Sequence, residues 1–226
     1  MAGRKYPNTL TRDEADRAIY IDFEGGEDKP PSLVGVLVDN VYSAIILNPE
    51  FKSLAENRKL FEQPLEQFVT DTLSTACRER RVIVAWSEHE LNTMQDFNDG
   101  TLEERYRNAN KLVKNFFKTK LTFKKLKKEI KKADKWHKNK VGLKDLLWLD
   151  YVKYVYPVHL KSFSPAKAIS RMEDQLAKYS DYLKVSAGTK RSFSNLITYN
   201  EHDCRGMSHL INYVFSRLPK ATKIEH

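Results

Sequence analysis

The chain has few cysteines and no long apolar segment, and these two absences exclude several classes of protein. Cys77 and Cys204 are its two cysteines, and thiols so far apart in sequence predict neither a disulfide framework nor a zinc cluster. We expect both thiols to be reduced and mostly buried. The longest apolar runs, AIIL and VIVAW, are far shorter than the roughly 20 residues that cross a bilayer. The first residues also lack the apolar core of a signal peptide, so we expect a cytoplasmic protein without membrane contact.

A phosphate-binding loop is also absent, and the positive charge is confined to one segment. Gly25 and Gly26 are not followed by the lysine and hydroxyl residue of such a loop. The net charge of the whole chain is +9, yet residues 111–140 hold 13 lysines and only Glu129 and Asp134 as acids. That segment alone carries +11, so the rest of the chain is close to −2. A local basic stripe of this kind suits a polyanionic partner such as nucleic acid.

Hydrophobic periodicity predicts an α/β protein in which residues 1–226 form one domain. A hydrophobic content of 41% is typical of a globular protein. Alternating or continuous apolar runs predict strands at 18–26, 32–38, 41–47 and 81–86, and helical spacing predicts helices at 64–80, 88–97, 143–156, 165–183 and about 195–218. Asp39 and Asn40 favour a tight turn, so the first three strands should be antiparallel, and the continuous apolar fourth strand should be buried and parallel. The basic stretch at about 100–140 is expected to form a helical insert.

Two carboxylates interrupt the first predicted strand. Asp22 and Glu24 are two residues apart, so in a strand their side chains project from the same face. Ionised carboxylates this close repel one another unless a cation lies between them, and Mg²⁺ and Mn²⁺ prefer such oxygen ligands. On this pattern alone, two acids on a solvent-exposed strand face remain an equal alternative.

The last predicted helix contributes a third carboxylate. Asp203 interrupts an apolar stripe between Asn200 and Met207, and Tyr199 lies four residues before it on the same face. An acid on a stripe that faces the core needs a partner. If this helix packs beside the first strand, Asp203 converges with the strand acids.

These two motifs resemble a known superfamily. YIDFEG at the first strand and YNEHD on the last helix are similar to the first and last motifs of the DEDD-type, ribonuclease H-like 3′→5′ exonucleases, in their tyrosine subclass. The histidine subclass does not fit, because Thr198 stands where it has histidine. The likeness covers most of residues 18–218 and is weakest in the basic segment. It is closest to the ribonuclease H-like domains associated with RecB-type nucleases. The fold implied is a mixed sheet of three antiparallel strands followed by parallel strands, flanked by helices.

The resemblance implies a two-metal-ion phosphodiesterase. Its two divalent ions, Mg²⁺ or Mn²⁺, would be held by Asp22, Glu24 and Asp203, and Tyr199 would orient the attacking water. A further acid is expected after the strand VIVAW, and Glu90 is the candidate for it. The rivals for this position are Glu88 and, with less support, Asp145, which equally suits a helix N-terminus. His89 and His202 are expected to lie beside the ligands or at the surface.

Lysines mixed with aromatic residues predict a second functional surface. Phe116, Phe117, Phe123 and Trp136 are interleaved with the lysines of the basic segment, a mixture that suits phosphate contact and base stacking. The residues expected to contact nucleic acid are Lys124, Lys125, Lys127, Lys128, Lys131 and Lys132. A solvated helix face with no ligand remains the alternative.

Three other functions stay open at this point. The same fold could have lost metal binding and survive as a nucleic-acid-binding or scaffold domain, or it could cut internally as an endonuclease. A small-molecule enzyme fits the basic stripe poorly. The sequence leaves open DNA against RNA, single against double strands, and whether a protein partner or a second copy of the chain takes part.

Overall fold

The computed structural model describes residues 9–26, 29–98, 100–120, 142–218 and 224–225, with side chains omitted for 118–120 and 224–225. Its centre is a mixed sheet of six strands flanked by helices, which confirms the predicted α/β class. About half of the predicted insert, residues 121–140, lies outside the described residues, as do all six lysines that were expected to contact nucleic acid.

Within the described ranges, eight strands form two sheets. The strands are β1 (Thr9–Leu10), β2 (Ile19–Gly25), β3 (Pro31–Val38), β4 (Val41–Ile46), β5 (Phe61–Glu62), β6 (Ile83–Ala85), β7 (Tyr106–Asn108) and β8 (Ile224–Glu225). The main sheet has the order β5-β4-β3-β2-β6-β7, and β1 pairs with β8 separately. As predicted, β2, β3 and β4 are antiparallel neighbours and β6 runs parallel to β2.

Nine α-helices accompany these strands in the part of the chain that the structure describes. They are α1 (Arg12–Asp16), α2 (Lys52–Arg58), α3 (Leu65–Arg78), α4 (Glu88–Gln95), α5 (Leu102–Arg105), α6 (Ala109–Lys120), α7 (Leu143–Leu147), α8 (Pro165–Tyr179) and α9 (Ala187–Ser216). Short 3₁₀ turns occur at Pro49–Phe51, Val158–Leu160 and Tyr182–Lys184. Across the described ranges, no helix combines the length and the apolar character that a membrane crossing requires.

The sheet is covered on both faces, and the side chains of β2 pack into a different core on each face. Ile19, Ile21 and Phe23 pack in one core with α3, where Phe23 meets Phe68 edge to face at 5.7 Å. Tyr20 points to the opposite core, which it shares with residues of α9. Because side chains alternate along a strand, Asp22 and Glu24 project on the α9 side. The acids therefore lie under a helix and not on an exposed strand face.

Two predicted boundaries differ from the structure by eight residues or more. The helix predicted at 143–156 ends at Leu147, because the chain then turns and Lys153 adopts a left-handed backbone with φ of 57°. Leu149, Val152 and Tyr156 are still buried in the same core, so a series of turns imitates helical spacing. The last helix begins at Ala187, eight residues earlier than 195, after Ser186 caps it by accepting from Thr189 N.

The structure also contains features that the sequence pattern did not indicate. Strand β7 was missed because its sequence, YRN, shows no apolar alternation, although all three residues are buried. Arg107 can lie inside because its guanidinium donates to Thr9 O at 2.7 Å and pairs with Glu14 at 3.6 Å. The two cysteines are unpaired as expected, but only Cys204 is buried; the prediction was wrong for Cys77, which is exposed on α3.

Candidate metal centre

Three predicted carboxylates meet where β2 passes under α9. One ligand oxygen from each of Asp22, Glu24 and Asp203 can be chosen so that all lie within 4.8 Å of one another. Two of these acids come from one face of a strand, and the third comes from the apolar stripe of a helix, as the sequence indicated. The group could hold a metal ion, since it offers only hard oxygen ligands at close spacing.

An asparagine on α9 holds the carboxylate of Asp22 in one orientation. Asn200 donates through Nδ2 to Asp22 Oδ2 at 2.8 Å and to the Asp22 carbonyl oxygen at 2.9 Å, while its Oδ1 accepts from Tyr42 at 2.9 Å. This approach needs Gly35, which pairs with Asp22 across the sheet. A Cβ at position 35 would lie 1.6 Å from Asn200 Oδ1. The glycine in the middle of β3 therefore makes room for the side chain that orients a candidate ligand.

Burial raises the pKa of every carboxyl group in the centre, and repulsion from neighbouring acids adds to the rise at Asp22 and Glu24. Burial raises the pKa of Glu24 to about 8, with a further contribution from the charge of Asp203. Burial raises the pKa of Asp203 to about 6, against the opposing effects of Lys144 and of hydrogen bonds from Tyr156 and Tyr199. The pKa of Asp22 is also raised, first by burial and then by Glu24 and Asp203. A bound cation would relieve this repulsion.

A lysine that sequence reasoning did not single out lies beside these acids. Lys144 donates to the hydroxyl of Tyr199, and its Nζ lies 3.7 Å from the centroid of that ring. Its positive charge lowers the pKa of Asp22, Glu24 and Asp203. Burial lowers the pKa of Lys144 itself, although the same three acids act in the opposite direction. Lys144 is therefore an internal cation of the centre.

The position of Lys144 depends on close packing between α7 and α9. A Cβ at Gly206 on α9 would lie 2.5 Å from Leu147 Cδ1 on α7, so the two helices approach each other through this glycine. Asp145 secures the start of α7 by accepting from Gly142 N at 2.7 Å. The predicted alternative for Asp145, an acid at a helix N-terminus, matches this placement.

Aromatic side chains form the wall behind Asp203. Tyr156 donates to Asp203 Oδ1 at 3.1 Å and meets the ring of Tyr199 edge to face at 6.4 Å. Phe163 packs against the other side of Tyr199 at 5.5 Å. Burial raises the pKa of Tyr199, so its hydroxyl group keeps its proton at neutral pH. Tyr156 was missed because it follows a series of turns that the sequence presents as a helix.

Glu90 does not join the three acids, although it lies near them. Its Oε2 accepts from Ser87 N at 3.1 Å and from Ser87 Oγ at 2.7 Å, which completes a capping box at the start of α4. It is buried, and its charge contributes to the raised pKa values of Asp22 and Glu24. The rival Glu88 is exposed and pairs with Lys111.

The two flanking histidines occupy different environments. His89 is exposed, while His202 exchanges a 3.0 Å hydrogen bond with the hydroxyl of Tyr154. Burial lowers the pKa of His202. Neither belongs to the group of acids that could hold a metal within the described residues, so His202 supports the aromatic wall and His89 faces solvent.

Comparison with known proteins returned no relative. No family model, no curated protein and no solved structure matches this chain. The case for a function therefore depends on the geometry of the centre and on the two sequence motifs that build it.

Proposed function

We propose that this protein is a metal-dependent nuclease, and specifically a 3′→5′ exonuclease with a ribonuclease H-like fold. The observation that carries the proposal is the convergence of Asp22, Glu24 and Asp203, whose ligand oxygens lie within 4.8 Å of one another. Three acids held close together, one buried and two half-buried, would be costly to keep without a cation. A site for divalent ions explains why a core strand and a core helix both bring carboxylates to this point.

The topology supports the same proposal. Three antiparallel strands occupy one side of the main sheet, β6 and β7 continue it in parallel, and α9 lies across β2. This arrangement suits the ribonuclease H-like fold that the two motifs suggest. The acids stand at the carboxyl end of β2, beside the parallel strand β6, where α/β sheets commonly bind their ligands.

The residues of the centre take distinct roles in this proposal. Asp22, Glu24 and Asp203 would hold the divalent ions, whose chemistry is to lower the pKa of water and to neutralise charge on the phosphate. Asn200 keeps Asp22 in one orientation. Tyr199, a neutral hydroxyl fixed by Lys144, would orient the attacking water.

A second candidate is a nucleic-acid-binding protein that does not cut. The placement of Glu90 favours it, because this acid serves a helix cap in place of a fourth ligand. Lys144 also favours it, since an internal cation already offsets part of the negative charge.

A cleavage assay separates these candidates. Purified protein is incubated with 5′-labelled single-stranded and duplex DNA and RNA, in Mg²⁺, in Mn²⁺ and in EDTA. An exonuclease gives a descending ladder in metal and no products in EDTA, whereas cutting of a circular substrate indicates an endonuclease.

The matched variant for this assay is Asp203→Asn, which keeps an oxygen to accept from Tyr156. It should lose at least about a hundredfold of the rate, since charge on a metal ligand is removed. Asp150→Asn, at an exposed position, is the control. Full activity of Asp203→Asn would refute the proposed centre.

A further inference from the structure

An ammonium group lies at the edge of the carboxylate centre, beside the three acids that could hold metal. Lys144 Nζ donates to the hydroxyl of Tyr199 and lies 3.7 Å from the centroid of that ring. The same hydroxyl lowers the pKa of Asp203, so it lies next to that carboxylate. The charge of Lys144 lowers the pKa of all three acids. The lysine therefore acts on the same carboxylates that would hold divalent ions.

Two aromatic rings and the start of α7 hold this ammonium in place. Besides its contact with Tyr199, Lys144 Nζ lies 5.6 Å from the ring centroid of Tyr156, which donates to Asp203 at 3.1 Å. A cation near aromatic faces is stabilised by their negative potential, even where water is partly excluded. Lys144 itself is half-buried on the first turn of α7. The fold therefore provides a defined place for one positive charge at the centre.

The acids that converge are fewer than the four that the sequence motifs suggest. Glu90 accepts from Ser87 N at 3.1 Å and from Ser87 Oγ at 2.7 Å, and it is not in the group that could hold a metal. Three carboxylates remain in the centre. A hard cation can be held by one or two carboxylates together with water. Counting ligands therefore allows one ion or two, and the charge of the centre has to decide between them.

The charge of the centre favours one ion. Three ionised carboxylates and the ammonium of Lys144 together carry −2, which one divalent ion neutralises. A second ion would leave an excess of +2 beside a half-buried lysine, and like charges at this distance repel. Glu90 changes this balance little, because the amino end of α4 and two hydrogen bonds from Ser87 already stabilise its charge.

We propose that the carboxylate centre binds one divalent ion and that Lys144 takes the place of a second, with its ammonium donating to the phosphate that is cut. This inference rests on the proposed function and changes its number of ions from two to one. Two-metal sites use ions about 3.5–4 Å apart to stabilise the attacking and the leaving oxygen. An ammonium has three donor hydrogens and Tyr199 accepts one, so Lys144 can also donate to a phosphate oxygen.

Counting bound ions tests this inference without cleavage. Wild type, Lys144→Met, Lys144→Arg and the control Lys167→Met, whose lysine is exposed on α8, are titrated with Mn²⁺ at pH 8. Free Mn²⁺ is measured by electron paramagnetic resonance, and ions that Asp203→Asn also binds are subtracted. The wild type should bind one ion per chain. Lys144→Met should bind it at least about tenfold more tightly, because a repelling charge is removed. Lys144→Arg and Lys167→Met should bind as the wild type does.

The cleavage rate provides a second readout that should change in the opposite direction. At saturating Mn²⁺, Lys144→Met should lower kcat at least about a hundredfold, because a positioned charge at the phosphate is lost. Lys144→Arg keeps the charge and should retain more of the rate. If Lys144 only supported the fold, Lys144→Met would weaken metal binding and cleavage together. Tighter binding with slower cleavage therefore identifies a charge that acts on the substrate.

The outcomes separate this inference from the proposed function. Two Mn²⁺ ions per wild-type chain would overturn it and leave the nuclease intact. Unchanged or weaker Mn²⁺ affinity in folded Lys144→Met, or a wild-type kcat in that variant, would overturn it in the same way. If Lys144→Met does not fold, the count in the wild type decides alone. One bound ion without cleavage of any strand would refute the nuclease, and with it the phosphate contact of Lys144.

Discussion

Glu24 and Asp203 differ in the pH at which each carries charge. Burial and the neighbouring acids raise the pKa of Glu24 to about 8, whereas the pKa of Asp203 is raised to about 6. Asp22, whose pKa is also raised, keeps its proton above the usual range of a carboxyl group, and at neutral pH the metal-free centre retains a proton on Glu24 as well. A divalent ion has to replace that proton, so metal affinity should increase with pH.

The raised pKa of Glu24 predicts how stability changes with pH. The folded state binds this proton more tightly than the unfolded chain, whose pKa is near 4.5. The contribution is therefore present below pH 4.5 and is lost as pH rises towards 8. In EDTA, Glu24→Gln should remove a loss on the order of 4 kcal/mol between pH 5 and 8.5, measured by denaturant unfolding.

The comparison of the two proteins removes the effect of groups that do not interact with Glu24, while Asp22, whose pKa Glu24 raises, changes together with it. His202, whose pKa is lowered, acts in the opposite direction near pH 6 in both proteins and cancels in the difference. Parallel stability curves for wild type and Glu24→Gln across this range would contradict the assigned pKa.

Glu90 offers a second test at the residue scale. Glu90→Gln can still accept from Ser87 and preserve the capping box, whereas Glu90→Ala cannot. We expect the alanine variant to lose about 1–2 kcal/mol of stability and the glutamine variant to lose little. The cleavage rate of Glu90→Gln then tests whether the carboxylate takes part in the reaction. A wild-type rate would mean that Glu90 serves only as a helix cap. A rate reduced tenfold or more would mean that its carboxylate contributes to the metal centre.

At the scale of elements, the sequence predicted those parts whose burial is set by their own pattern. Strand β2 alternates, β3 and β4 are short runs rich in apolar residues, and α3 shows helical spacing, so each was recognised within a few residues. Strand β7 and the end of α7 were not recognised, because the burial of their residues depends on partners that are distant in sequence, as Arg107 depends on Glu14.

The residues of the candidate centre also differ in whether the sequence alone could identify them. Asp22, Glu24 and Asp203 disturb an otherwise apolar pattern, so each could be found by inspection of its own element. Lys144 and Tyr156 belong to segments whose course is set by packing against α9, and no local pattern marks them. The role of Asn200 depends on a glycine more than 150 residues away in sequence.

Substitution of Gly35 tests whether the close approach of α9 to β3 depends on this glycine. In Gly35→Ala the new Cβ would collide with Asn200, so α9 must shift from β3 or lose the hydrogen bonds to Asp22. We expect a loss of about 2–4 kcal/mol in unfolding free energy together with loss of metal binding. Gly188→Ala is the matched control, because nothing lies within 4 Å of its added Cβ. Equal stability of the two variants would mean that Asn200 is not seated on Gly35.

At the scale of the whole molecule, charge is divided between two regions. The segment 111–140 carries +11 while the rest of the chain is near −2. The acids of the centre lie in the second region, at the meeting of β2 and α9. A polyanion drawn by the lysines would need cations at the acids before its phosphates could approach them.

Metal binding should therefore stabilise the folded protein as a whole. A ligand that binds the folded state at a hundred times its Kd adds about 2.7 kcal/mol, which corresponds to a rise in Tm of roughly 5–10 °C for a chain of this size. We expect Mn²⁺ to produce such a rise at pH 8 in the wild type and not in Asp203→Asn, followed by calorimetry. An equal rise in both proteins would place the metal elsewhere.

The two thiols can be used to measure how often α9 separates from the sheet at the carboxylate centre. Cys77 is exposed on α3, and Cys204 is buried on α9 next to Asp203, where burial raises the pKa of its thiol. A thiol reagent will modify Cys77 at once, but it can reach Cys204 only after α9 separates from the sheet. In a Cys77→Ser background, the rate of labelling at Cys204 therefore measures how fast α9, the helix that carries Asp203, separates from the sheet. Bound metal should slow this labelling.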